Sequence, residues 1–134
     1  MIPKKFLIFG PKSWLAQMLW KELEKRGHTV TGCHHDLNLS DRITDDIDVV
    51  INCAAKTNID MAEKNKWHTF WSNTLGAQNI ARSCKVSNKK YVLISSACIF
   101  ESLNANDWKD EFSKPNPQCF YAETKVMAEK LVRE

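Results

Sequence analysis

Apolar residues follow two patterns along this chain. Short, nearly continuous apolar runs occupy residues 4–9 (KKFLIF), 48–53 (DVVINC) and 91–95 (YVLIS), and residues 28–33 alternate with β-branched Thr and Val. Runs of this length, bounded by turn residues, predict buried strands. Between them apolar positions recur every three or four residues, the period of an amphipathic helix. Leu15, Met18, Leu19 and Leu23 mark a helix over residues 13–26. Trp67, Phe70, Trp71, Leu75, Ile80, Ala81 and Cys84 mark one face of a long second helix. Phe120, Val126, Met127 and Leu131 mark a third over residues 119–134. Ser13 suits the amino cap of the first helix and Gly27 the left-handed residue past its end. A short further strand is expected at residues 36–40, and the polar loop 101–114 is expected to move most.

Strands alternating with helices predict an α/β fold, a doubly wound parallel sheet with helices on both faces. Numbering the strands in chain order, including the one at residues 36–40, short right-handed crossovers require the order 3-2-1-4-5. The 134 residues make one domain by length, spanning residues 1–134, with no internal repeat or linker. Hydrophobic content of 43% and charged content of 26% are ordinary for a globular protein. A net charge of +3, scattered along the chain, argues against a nucleic-acid partner. No apolar run is long enough for a membrane span, and the amino terminus lacks a signal-peptide layout. Five cysteines, odd in number and without a CxxC pair, suggest neither a disulfide framework nor a zinc site, which fits a cytoplasmic setting. His34, His35 and Asp36 read as a solvated strand end, because neighbours on a strand point to opposite faces.

Chemistry is expected first at the turn after residues 4–9. In doubly wound sheets this turn approaches a pyrophosphate at the helix amino terminus, so a dinucleotide would lie over residues 10–15, against Gly10, Ser13, Trp14 and Leu15. Only Gly10 of the usual glycines is present, and Ala16 is a mild change. Ser13 either crowds a phosphate or donates its hydroxyl to it. The turn alone fits a plain strand–turn–helix equally well. Asn52, Ala54 and Ala55 end the neighbouring strand with small side chains that leave room for a cofactor.

Tyr121 and Lys125 lie one helical turn apart on a single face. A cation beside a phenol favours the phenolate, so such a tyrosine can exchange a proton with a carbonyl or alcohol oxygen while a nicotinamide moves hydride. The spacing also arises by chance. Ser95 and Ser96 stand at the carboxyl edge of the sheet, where ligands bind in this architecture.

The segment NCAAKTNIDMAE at residues 52–63 is similar to the NAAAxTxVDxAE signature of dTDP-4-dehydrorhamnose reductases, which are extended short-chain dehydrogenases/reductases. Residues 72–76 (SNTLG) resemble their VNxxG helix segment. Glu111, the PNP run at 115–117 and Tyr121-x-x-x-Lys125-x-x-x-Glu129 resemble the lead into their catalytic helix. Residues 97–101 (ACIFE) and 120–131 (FYAETKVMAEKL) resemble the 3,5-epimerase/4-reductases that act on UDP-4-keto-6-deoxyglucose in UDP-rhamnose synthesis, and GDP-fucose synthases share part of this stretch.

The resemblance implies an NAD(P)-binding Rossmann fold and an oxidoreductase that reduces a nucleotide-linked 4-keto-6-deoxy sugar. It implies NADP(H) as cofactor, with NAD(H) the alternative, since no arginine follows the second strand to hold a 2′-phosphate. Ser96 would bind the substrate oxygen, Tyr121 would donate the proton, and Lys125 would hold the nicotinamide ribose. Asn73 would belong to the cofactor site. Cys98 would be one acid/base group of an epimerase, or else a small buried side chain. Relatives of this type are about twice as long, so the chain reads as truncated after the YxxxK helix, with the nucleotide-sugar domain absent. The strand at 91–95 would then be a sheet edge inviting a second copy or a partner chain. Two other readings stay open: a non-catalytic binding module, as in the methionine adenosyltransferase regulatory subunit, and a Rossmann domain without ligand.

Overall fold

The computed structural model describes residues 2–34, 42–101 and 106–133. The strand expected at residues 36–40 lies outside these, as do His35 and Asp36. The described chain forms two compact units, Met1–Ala55 with Ala77–Ile94, and Lys56–Gly76 with Ser95–Glu134.

The first unit holds a four-stranded parallel sheet of β1 (Lys5–Phe9), β2 (Thr29–Cys33), β3 (Val49–Asn52) and β4 (Lys90–Leu93), in the order β2-β1-β3-β4. This is the expected order with the strand at residues 36–40 left aside. β1 is central because its side chains serve two cores. Leu7 and Phe9 face one way with Val50, and α4 (Gly76–Val86) covers them with Ile80 and Cys84. Ile8 faces the other way with Val49 and Ile51, under Ala16, Leu19, Trp20 and Leu23 of α1 (Trp14–Lys25). The sheet is therefore covered on both faces, as expected for a doubly wound fold. Fully burying residues such as Ile8 and Phe9 contributes about 1.5–3 kcal/mol each.

Ser13 caps α1 and Gly27 takes a positive φ of 83° just beyond it, both as the sequence predicts. The apolar stripe of α1 differs from the expected one. Leu15 and Met18 are exposed, whereas Ala16 and Trp20 join Leu19 and Leu23. Positions 16, 19, 20 and 23 form one face at 3.6 residues per turn, and the small Ala16 lets that face approach the sheet. None of the five cysteines is in a disulfide.

The second unit contains α2 (Ile59–Lys64), α3 (Lys66–Phe70), a π-helical segment (Trp71–Leu75), a 3-10 turn (Ala97–Ile99) and α5 (Phe120–Arg133). Two helix faces depart from expectation here. Trp67 and Trp71 are exposed, while Thr69, Asn73 and Thr74 are buried. The wider π turn shifts the phase of the side chains, and the buried threonines and asparagine find partners that make their burial tolerable. On α5 the buried stripe is Tyr121, Thr124, Lys125 and Ala128, with Ala122 beside it. Phe120, Val126, Met127 and Leu131 are only partly buried. Among the described residues no helix is long and apolar enough to cross a membrane.

Candidate active site

β1 leads to β2 on one side and pairs with β3 on the other, so the crevice beyond their carboxyl ends is the topological switch point of this sheet. Gly10 stands there with φ of 74°. A Cβ on Gly10 would lie 2.8 Å from the Ala54 backbone, so this turn and the end of β3 touch in a way only glycine permits. Gly10 also donates its N–H to the Cys33 carbonyl, and its carbonyl accepts from Ser13. The Ser13 hydroxyl accepts from the Ala16 N–H at 3.3 Å, which opens α1. Trp14 is largely exposed, Leu15 sits at the margin of exposure, and no acidic residue occupies the first turn of α1. This helix end is thus free of local negative charge that would oppose an anion.

Asn52 is buried at the tip of β3. Its side-chain oxygen accepts from the Ala54 N–H at 3.0 Å, bending the chain where Ala54 and Ala55 follow, and its amide donates to the Tyr91 hydroxyl at 3.1 Å. Tyr91 in turn donates to the Ala77 carbonyl at 3.3 Å. Burial raises the Tyr91 phenol well above its ordinary value, so it remains a neutral donor. Tyr91 thus braces the tip of β3, a role that the apolar strand pattern hides.

The proposed catalytic residues Ser96, Cys98, Tyr121 and Lys125 all belong to the second unit. Tyr121 and Lys125 are buried one turn apart on α5, and the 3-10 turn after Ser96 packs against that helix. Ser96 is extended, with φ −151° and ψ 144°, and its hydroxyl accepts from the Cys98 N–H at 3.2 Å. Cys98 is exposed, not a small buried filler.

A buried polar network holds α5 between Tyr121 and Lys125. Thr124 donates its hydroxyl to the Tyr121 carbonyl at 2.6 Å and accepts from the Asn73 amide at 3.2 Å. Thr74 donates to the Thr124 carbonyl at 2.9 Å. Asn73 also accepts from the Lys56 N–H at 2.7 Å and donates to the Lys56 carbonyl at 3.0 Å. Asn73 was expected at the cofactor; the structure spends both donors of its amide on Lys56 and Thr124. At the start of α5, Glu63 accepts the Phe120 N–H at 2.7 Å, and Lys66 lies over the Phe120 ring. Thr124, Thr74 and Tyr91 escape a motif reading, because nothing marks a buried hydroxyl until its partners are known. No group of three His, Cys, Asp or Glu suited to a metal occurs among the described residues.

The chain as a whole is similar to known proteins. The chain is similar to the Arabidopsis thaliana trifunctional UDP-glucose 4,6-dehydratase/UDP-4-keto-6-deoxy-D-glucose 3,5-epimerase/UDP-4-keto-L-rhamnose-reductase, at 33% identity over 97% of this chain and 22% of that protein. It is similar to the dTDP-4-dehydrorhamnose reductase of Mycolicibacterium smegmatis, at 27% identity over 96% of this chain and 41% of that one. The crystal structure of dTDP-4-dehydrorhamnose reductase from Bacillus anthracis in complex with NADP superposes with a TM-score of 0.89 and 25% identity, over 99% of this chain and 50% of the other. The chain thus spans at most about half the length of these relatives. The family model described as the RmlD substrate binding domain matches residues 4–134, and the chain belongs to that family.

Proposed function

We propose that residues 1–134 form the NAD(P)-binding part of a reductase acting on a nucleotide-linked 4-keto-6-deoxy sugar, with NADP(H) the preferred dinucleotide and NAD(H) the alternative. The observation that carries this reading is the burial of Tyr121 and Lys125, one turn apart, on an α5 face against which the turn after Ser96 packs. A lysine is seldom fully buried unless it is paired. The named activities of the Arabidopsis and mycobacterial relatives support the substrate class, and the NADP in the Bacillus structure supports the cofactor.

Gly10, Ser13, Trp14 and Leu15, with Ala54 and Ala55 opposite, suit a pyrophosphate, because the turn admits no side chain at Gly10. When bound, the dinucleotide supplies the hydride. The chain's own residues manage the proton and the oxygen. Tyr121 gives its hydroxyl proton to the carbonyl oxygen as that carbon becomes an alcohol, and Lys125 stabilises the phenolate left behind. The Ser96 hydroxyl donates to the same oxygen. In an epimerisation, Cys98 would exchange the proton on a carbon beside the carbonyl.

The test is NADPH oxidation with a 4-keto-6-deoxy nucleotide sugar, by this chain alone and fused to the carboxyl-terminal half of the mycobacterial reductase. Turnover is expected in the fusion. Tyr121→Phe should abolish it, and Cys98→Ser should spare reduction while removing epimerisation. A second reading, a non-catalytic binding module, draws on Ser13, whose side chain stands where a glycine would leave phosphate more room. It wins if the fusion binds NADPH, stays inactive, and is unaffected by Tyr121→Phe. A sheet edge at β4 suits a second copy or partner strand.

A further inference from the structure

We propose that Glu129 is a positioning residue, which ties the Ser96-bearing turn to the helix of Tyr121 and Lys125 by way of Ser95; this rests on the reductase reading above. The Ser95 hydroxyl donates a hydrogen bond to Glu129 Oε1. Tyr121, Lys125 and Glu129 are spaced by four, so one side of α5 carries the proton donor, its cation and this anchor in successive turns. Ser95 directly precedes Ser96, and Ser96 is in extended backbone. Neighbours on extended chain project to opposite sides. One hydroxyl therefore anchors the turn and the other stays off the anchor, where it accepts the Cys98 N–H.

The bland alternative is a surface ion pair, since Arg133 Nη2 stands 3.7 Å from Glu129 Oε2. The exposures argue otherwise. The Arg133 side chain is 81% exposed and the Glu129 side chain 22%, so the arginine end is loose and screened while the carboxylate is drawn inward. A hydroxyl given to a carboxylate is among the stronger protein hydrogen bonds. A second tie, from the Asn116 N–H to the Ile99 carbonyl at 2.9 Å, holds the far end of the same turn. The 3-10 turn is thus fastened at both ends, and the Ser95 end is fastened to α5 itself. Small misplacements at a reacting centre cost orders of magnitude in rate, which gives such an anchor its value.

The experiment compares Glu129→Ala, Glu129→Gln, Ser95→Ala and the double Ser95→Ala/Glu129→Ala by amide hydrogen exchange in this chain and by turnover in the fusion. Each alanine variant should speed exchange at the Cys98 and Phe100 amides roughly ten-fold while β1 amides stay unchanged, because the opening is local. Glu129→Gln, which keeps an acceptor oxygen, should stay within about two-fold of the parent. Turnover should fall about ten-fold in either alanine variant with KM for NADPH unchanged, and the double variant should be no worse than a single one. Unchanged exchange in Glu129→Ala overturns the proposal, as does additive loss in the double variant. If Tyr121→Phe proves silent, the reductase reading fails while the exchange result still decides the anchor.

Discussion

The Glu63 carboxylate, near the carboxyl end of α2, accepts the Phe120 backbone N–H at 2.7 Å and so closes the amino end of α5. The residue before α5 is Cys119, which has no side-chain oxygen to cap with, and Glu63 performs that task from a distant part of the sequence. A negative charge at a helix amino terminus is favourable, and the same N–H holds the Glu63 carboxyl below its ordinary value of 4.5, helped by Lys66.

The sign of the pH effect follows. A carboxyl depressed on folding adds stability above its unfolded value, and that stability disappears as pH falls through the lower folded value. Glu63→Gln should therefore melt slightly below the parent near neutral pH, and the two curves should converge under acid conditions. Thermal melts across that range check this; parallel curves would mean that the carboxylate contributes no charge-dependent stability.

Thr124 is fully buried and uses its hydroxyl both as donor and acceptor. Thr124→Val keeps the shape but strands the Asn73 amide donor, which should cost about 1–3 kcal/mol. Urea unfolding measures it. Asn73→Leu in the Thr124→Val background should lose less than it does alone, since the network is already broken.

Much of the fold was legible in the sequence, and for a physical reason. The strands at 5–9 and 49–52 are buried on both faces and so appear as unbroken apolar runs. The caps Ser13 and Gly27 mark α1 locally. What escaped was set by tertiary partners. The exposed Trp67 and Trp71 overruled a pattern that counted large apolar residues as core; Thr69 of α3 and Asn73 and Thr74 of the π segment are buried instead. The short helix α2 was missed although Asn58 caps it, accepting from Met61 at 2.9 Å. At the candidate site, Ser96, Tyr121 and Lys125 were legible as a motif, whereas Thr124, Glu63 and Tyr91 act through partners 39 to 57 positions away or through burial, which spacing does not reveal.

Gly10→Ala tests the turn proposed to hold the dinucleotide. The added Cβ would meet Ala54 backbone in a conformation with φ of 74°, which side chains avoid. Destabilisation of about 1–3 kcal/mol is expected in urea titrations, with loss of any dinucleotide binding. A variant that retains both would mean that the turn opens without cost.

Cysteine reactivity separates the two thiols of interest. Burial pushes the Cys84 thiol up to about 11, so it stays protonated as well as hidden. Cys98 is exposed. Iodoacetamide near pH 8 should label Cys98 in the native chain and leave Cys84 until denaturant is added. Early labelling of Cys84 would place it outside the core described above.

Ser13→Gly weighs the two readings of the turn against each other. The Ser13 hydroxyl caps α1 through Ala16, so removing it should cost only a few tenths of a kcal/mol, the usual difference between serine and glycine at this position. If the serine crowds a phosphate, the glycine variant should bind NADPH more tightly, by roughly three- to ten-fold, an amount equal to about 0.6–1.4 kcal/mol. If the hydroxyl instead leaves its cap to serve the phosphate, the variant binds more weakly. A charge-assisted hydrogen bond of that kind is stronger than a neutral one, so the effect should exceed the lost cap. Calorimetric titration of parent and variant with NADPH and NADH decides the sign. Ser13→Ala separates the contributions further: it lacks the hydroxyl yet keeps the Cβ. Under the crowding reading it should bind no better than the parent, because the obstructing carbon remains. Tighter binding by both Ser13→Ala and Ser13→Gly would assign the obstruction to the hydroxyl itself, held by its cap to Ala16 across the path of the phosphate.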